Sequence, residues 1–225
     1  MSLLRVFACG VAVSALCSVP VSAQQVEDGL RLRPLLGIGF SWGGDTITPV
    51  TITPQGSTVQ YEEKVKAGSG IDLRAGVELG FARSPYSVQL AVAFQSDGVT
   101  GVDNDSLEFR RIPVEAVLHW RATDRFRVGF GVRKALYSTF RTNDATCSEI
   151  DEALRYLCGG RVTYKGSVGA IVEAEYLLTP QWGVRARYVT ERYKVDKVDE
   201  DYVFVPSKEK IRGDHFGLMS VWYLR

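Results

Sequence analysis

The run Ile71-Asp72-Leu73-Arg74-Ala75-Gly76-Val77-Glu78-Leu79-Gly80-Phe81 keeps every odd position apolar and every even position charged or glycine. A period of two sends these sets to opposite faces of a β-strand, whereas the 3.6-residue period of a helix would mix them. The polar face holds carboxylates, an arginine and glycines, with no serine, threonine or lysine.

The same alternation recurs on both sides of this run. Tyr86, Val88, Leu90, Val92 and Phe94 alternate with Ser87, Gln89, Ala91, Ala93 and Gln95. Ile112, Val114, Ala116, Leu118 and Trp120 oppose Glu115, His119 and Arg121, and Phe126, Val128, Phe130 and Val132 oppose Arg127, Gly129, Gly131 and Arg133. Val168, Ala170, Val172, Ala174 and Tyr176 oppose Gly169, Glu173 and Glu175, and Trp182, Val184, Ala186 and Tyr188 oppose Gly183, Arg185, Arg187 and Glu191. Looser strands at Leu32 to Trp42 and Phe216 to Leu224 bring the expected number to eight.

Connection lengths alternate as regularly as the side chains. Arg83-Ser84-Pro85, Thr123-Asp124-Arg125 and Thr179-Pro180-Gln181 are tight turns built from turn-forming residues. Polar segments at 44 to 64, 97 to 106, 142 to 162 and 196 to 213 separate them. Short turns on one side and long loops on the other are the rhythm of an up-and-down barrel threaded through a bilayer.

Alternation alone would also fit a soluble eight-stranded barrel of lipocalin type with an apolar interior. Three features favour an apolar exterior. Acids and bases on the polar face match, as buried charges must, and arginine, whose planar fork suits carboxylates, is used there in place of lysine. Lysine falls in the loops, at Lys64, Lys66, Lys197, Lys208 and Lys210. The polar face is also rich in glycine (Gly76, Gly80, Gly129, Gly131, Gly169), which makes room inside a narrow cylinder. Finally, Tyr86, Trp120, Phe126, Trp182, Trp222 and Tyr223 lie near the short-turn ends, where an interfacial aromatic girdle belongs. The expected fold is all-β, an eight-stranded antiparallel up-and-down transmembrane β-barrel. Its interior charge network is expected to comprise Asp72, Arg74, Glu78, Glu115, His119, Arg121, Arg127, Arg133, Glu173, Glu175, Arg185, Arg187 and Glu191.

The first residues read as an export signal: a basic start over Met1 to Arg5, an apolar Val6 to Val19, and the small-residue pattern Val21-Ser22-Ala23 before cleavage. Residues 1–23 are expected to be the signal peptide and 24–225 the barrel domain. Export and alternating strands, with the closing run His215-Phe216-Gly217-Leu218-Met219-Ser220-Val221-Trp222-Tyr223-Leu224-Arg225, resemble the small eight-stranded outer-membrane proteins of Gram-negative bacteria, the OmpA-barrel and OmpX-like superfamily. The resemblance spans the mature chain. It implies an integral outer-membrane location among lipid and lipopolysaccharide, and recognition of the C-terminal strand by the barrel-assembly machinery. Members commonly end on an aromatic residue, whereas here Leu224 and Arg225 follow Tyr223.

Composition excludes other classes. The 225 residues carry 27 lysines and arginines against 26 acids, a net charge of +1 that offers no field for nucleic acid. After cleavage, Cys147 and Cys158 are the remaining cysteines, and a disulfide between them is expected in an oxidising compartment. It would clip a short helix begun by the capping pair Ser148 and Asp151, with Ile150, Leu154 and Leu157 on one face. His119 and His215 have no zinc-type spacing, and the acidic run Asp196, Asp199, Glu200, Asp201 lacks the EF-hand pattern, so no metal, cofactor or catalytic residue is assigned. The expected function is a non-enzymatic surface protein, contributing to envelope integrity or to adhesion and ligand contact through its long loops. A narrow channel for small solutes or ions and a lipid-modifying enzyme are the alternatives; the enzyme would need a nucleophile paired with His119 or His215.

Overall fold

The computed structural model describes residues 29–52, 61–81, 84–100, 106–142, 161–198 and 210–224. Among these residues the strands are, in chain order, β1 Leu30–Gly43, β2 Thr46–Ile52, β3 Tyr61–Lys66, β4 Gly70–Phe81, β5 Tyr86–Thr100, β6 Ser106–Arg121, β7 Phe126–Thr142, β8 Arg161–Gly166, β9 Val168–Thr179, β10 Trp182–Val189, β11 Arg192–Val198, β12 Lys210–Arg212 and β13 His215–Tyr223. Eight of them close a ring in the order β1, β4, β5, β6, β7, β9, β10, β13, each antiparallel to its neighbour. The seam runs from Leu35 opposite Tyr223 to Gly43 opposite His215. The closed eight-stranded antiparallel barrel is the architecture expected from the sequence.

The alternation turns outward as an apolar surface. Phe130, Val168 and Phe216 are 61%, 65% and 65% exposed, although each has a fully apolar side chain. Arg133 and Arg185 are 1% and 0% exposed. In water this arrangement would be unstable, since it leaves hydrophobic area solvated and strips charges of solvent; surrounded by hydrocarbon, the exterior meets a matching medium. Tyr86, Trp120, Phe126, Trp182 and Trp222 project outward near the short turns, and Trp182 donates from Nε1 to Ser220 Oγ at 2.6 Å. Tyr223 corrects the expected girdle: it is 2% exposed and faces the lumen. The reason is the period itself, because neighbours on a strand point to opposite faces and Trp222 already takes the outer one.

The tight turns at Thr123-Asp124-Arg125 and Thr179-Pro180-Gln181 form where expected, each closed by a threonine hydroxyl, while Arg83 of the other expected turn lies outside the described residues. Thr123 Oγ1 accepts from the Phe126 amide at 2.9 Å, and Thr179 Oγ1 from the Gln181 amide at 3.2 Å. At the other end the described parts of the polar segments include strands. The hairpin β2–β3 and the strands β8, β11 and β12 continue the barrel upward, with β8 paired to β7 and β11. Five of the ring strands end at one level, at Gly43-Gly44, Ser69-Gly70, Ser167, Thr190 and Gly213-Asp214, and backbone bonds carry the sheet across that level. Ser167 N donates to Arg192 O at 2.8 Å and Gly213 N to Glu191 O at 2.8 Å. Gly44 and Gly70 turn here with φ of +79° and +113°, a region costly for residues with a Cβ. The expected Cys147–Cys158 disulfide and its helix lie outside the described residues, as does the leader.

Candidate functional site

The lumen is filled by two stacked plugs. The lower, nearer the short turns, is ionic: among the described residues, buried Arg74, Arg127, Arg133, Arg185 and Arg187 face buried Asp72, Glu78, Glu115, Glu173, Glu175 and Glu191, and buried Arg111 lies at its upper edge. Register sets the pairs: Glu115 lies opposite Arg133, Glu175 opposite both Arg127 and Arg185, and Glu173 opposite Arg187.

Glu115 is the hub. Its Oε2 accepts from Arg74 at 2.8 Å and Arg187 at 2.9 Å, and its Oε1 from Arg133 at 3.2 Å. Arg74 also forks onto Asp72 at 2.9 Å, while Arg133 reaches Gln95 Oε1 at 2.8 Å and Glu191 at 3.1 Å. A second centre forms around Glu175, which takes Arg185 Nε at 2.7 Å, Arg127 at 3.2 Å and the Tyr223 hydroxyl at 2.9 Å. Arg127 closes the lower end by donating to both oxygens of Glu78 at 2.9 Å. Such multiply bonded, charge-assisted pairs are what make ions tolerable at low dielectric.

His119 joins Glu173 across an intervening strand, with Nε2 2.7 Å from Oε1. Gly129 on β7 lies between them, opposite His119 on one side and Glu173 on the other. A Cβ at Gly129 would come within 2.7 Å of His119 Cδ2 and 2.9 Å of Glu173 Cγ. Gly129→Val is therefore expected to destabilise the barrel by about 1–3 kcal/mol through overpacking, read as a lower midpoint for the loss of the compact gel species on heating.

Sequence reasoning placed Arg121 in this network. The structure instead leaves it exposed at the last residue of β6, beside the tight turn and opposite Arg127, where the cylinder no longer encloses it. It also missed Arg111, Gln89, Gln95 and the Tyr223 hydroxyl. Gln89 and Gln95 stood in the polar phase and bond Arg185 and Asp72 at 2.8 and 2.5 Å. Tyr223 signals itself only through its parity with His215.

The upper plug is apolar. Phe109, Phe140, Val162, Tyr164, Tyr193 and Ile211 pack inside the extension, with Phe109 edge-on to Tyr164 and Tyr193 at ring separations of 5.6 and 5.5 Å. Arg111 sits at the boundary, donating to the carbonyls of Ala67 and Ser69 and lying 5.4 Å from the Phe109 ring. Nearby in the extension, burial raises the Asp97 carboxyl above its ordinary range although the Lys66 amide donates to it at 2.7 Å.

Outside the extension a belt of cations crosses three strands. Lys194 lies opposite Lys165 and Lys210, and Arg192 opposite Arg212. All five side chains are exposed. Lys134, exposed on β7 opposite Val168, stands just below, an exception to the expected absence of lysine from strand centres. Like charges placed directly across a sheet destabilise it, and Asp45 offsets Arg212 at 3.7 Å.

Among the described residues no group of histidine, cysteine, aspartate or glutamate side chains is arranged to hold a metal ion. Asp196 is exposed on β11, and Asp199, Glu200 and Asp201 lie outside the described residues.

A family model described as "Outer membrane protein beta-barrel domain" matches residues 9–222. No curated protein matches the sequence. Among solved structures, the chain is similar to the attachment invasion locus protein Ail of Yersinia pestis, in complex with the heparin analogue sucrose octasulfate, at 11% identity and a TM-score of 0.49, covering 88% of this chain and 99% of that one. It is similar to Neisserial surface protein A at 10% identity and a TM-score of 0.46, covering 87% and 99%, and to OprG from Pseudomonas aeruginosa at 13% and 0.42, covering 88% and 97%.

Proposed function

This chain belongs to the outer membrane protein beta-barrel domain family and is integral to the outer membrane, and from that premise we propose that it is a non-enzymatic surface protein whose barrel is a sealed mount for its extracellular extension. The observation that carries this reading is the doubly filled lumen: matched ions below and an aromatic plug above. The short turns then face the periplasm and the extension faces outward.

The cationic belt gives the extension its first partner. Lys165, Arg192, Lys210 and Arg212 stand just above the apolar band that ends at Val168 and Phe216. That is the level of the outer-leaflet headgroups, and phosphates of lipopolysaccharide are the anions there. Lys134 can reach the same level by extending its stem along the apolar wall. The proposal includes export with loss of residues 1–23, a Cys147–Cys158 bridge in the loop, and recognition of β13 by the assembly machinery. Protein isolated from outer membranes should accordingly begin at Gln24 and carry no free thiol.

The channel reading is the one to test. Eight strands leave a lumen that side chains can fill, and here both plugs would have to move for a solute to pass. Purified protein in planar bilayers is expected to give no large, stable open currents; sustained conductance would overturn the proposal.

A further inference from the structure

The matched charge of the lumen fails at its periplasmic end. Arg31 and Arg33 on β1 and Arg121 on β6 all lie in the inward phase, opposite Gly80, Glu78 and Arg127 respectively. Two adjoining recesses of about 410 Å³ each are lined by all three arginines, and Arg125 of the β6–β7 turn lines one of them. Carboxylates are scarce there. Glu78 already gives both oxygens to Arg127, which leaves Asp124 as the other acid lining the recesses among the described residues.

We propose that this mouth is a binding site for a phosphate-bearing ligand, held by Arg31, Arg33 and Arg121. Arg33 is already positioned: its guanidinium lies 4.5 Å from the Tyr223 ring and donates from Nη2 to Pro180 O at 2.6 Å, which fixes its plane and leaves its remaining N–H groups to the recess. Arg31 and Arg121 have no carboxylate within ion-pair distance among the described residues, and both are exposed. Guanidinium forks match phosphate oxygens two at a time, and converging forks suit a tetrahedral anion with several equivalent acceptors better than a planar carboxylate with two. A concave mouth with low-dielectric walls focuses its excess positive charge on an entering anion. Phe81, Pro85, Leu177 and Leu178 complete the lining with apolar surface that can cover the organic part of a phosphate ester.

Such a phosphate could arrive free in the periplasm or on an inner-leaflet phospholipid, and titration separates the two. Mature protein folded in nonionic detergent is titrated calorimetrically with inorganic phosphate in one arm and with short-chain phosphatidylglycerol in the other, with succinate as the carboxylate control. Binding is expected in at least one phosphate arm, weakened by about tenfold or more, a loss of roughly 1.4 kcal/mol or more, in Arg31→Gln/Arg121→Gln and further in the triple variant with Arg33→Gln. The double variant touches only exposed side chains, so retention of the heat-dependent gel shift should confirm that it folds. Lys197→Gln, an exposed residue of β11 at the opposite end and outside the cationic belt, should bind as the unaltered protein does. Phosphate alone would identify a soluble ligand and phosphatidylglycerol alone a lipid headgroup. No binding in either arm, equal binding by the double variant, or succinate binding as tightly as phosphate would each overturn the assignment.

Discussion

Glu115→Ala is expected to cost the barrel about 3–5 kcal/mol, the range for removing one partner of a buried ion group. Three arginines, Arg74, Arg133 and Arg187, converge on this carboxylate, and none of the three is exposed to solvent. Arg74 and Arg133 keep second acceptors in Asp72 and Glu191, but Arg187 is left with Glu173 at 3.7 Å. The deficit is one negative charge in a closed space, so it cannot be spread by surface screening. Urea unfolding of protein reconstituted in vesicles measures it. Glu115→Gln keeps the shape and two of the hydrogen-bond acceptor directions while removing the charge, and its loss should approach that of the alanine variant. A Gln variant as stable as the unaltered protein would show that geometry, not charge, holds this centre.

Phe109→Ala is expected to cost a comparable amount, about 3–5 kcal/mol as for other buried aromatic truncations, but in a different place. Phe109 is 0% exposed, lies between Tyr164 and Tyr193 and supports Arg111 from above. Its removal should loosen the extension while the ring beneath persists. Hydrogen exchange would then report faster amide exchange in β8, β11 and upper β7, with β9 and β10 still protected. Uniform loss of protection through the ring would mean that the two plugs are one cooperative unit.

The ring and most of its ionic centre were legible in the residues because lipid and lumen impose opposite demands on alternate positions. Where that contrast fades, legibility fades with it. Leu35, Met219, Val221 and Tyr223 face inward on β1 and β13, so those strands carry apolar residues on both faces and read as loose. On β7 a bulge leaves Leu136 unpaired, and buried positions pass from Arg133 and Ala135 to Ser138 and Phe140. The change of phase hid the upper half of β7 and with it the aromatic plug. Above the membrane, strands such as β8 and β11 set Lys165 and Lys194 against a buried aromatic interior, a pattern that polarity alone assigns to loops. Arg121 was misplaced for a local reason: parity fixes the face of a side chain but not whether the cylinder still encloses it.

The partners inside the cylinder are far apart along the chain. Arg187 meets Glu115 across 72 residues and Arg127 meets Tyr223 across 96, and Tyr223 arrives on the final strand. A nascent sheet lacking that strand exposes guanidinium and carboxylate groups along an open trough, which hydrocarbon would reject. Entry into the bilayer and capture of the final strand must therefore be coupled events, so a chain truncated before His215 should remain stalled at the membrane surface with its trough still wet.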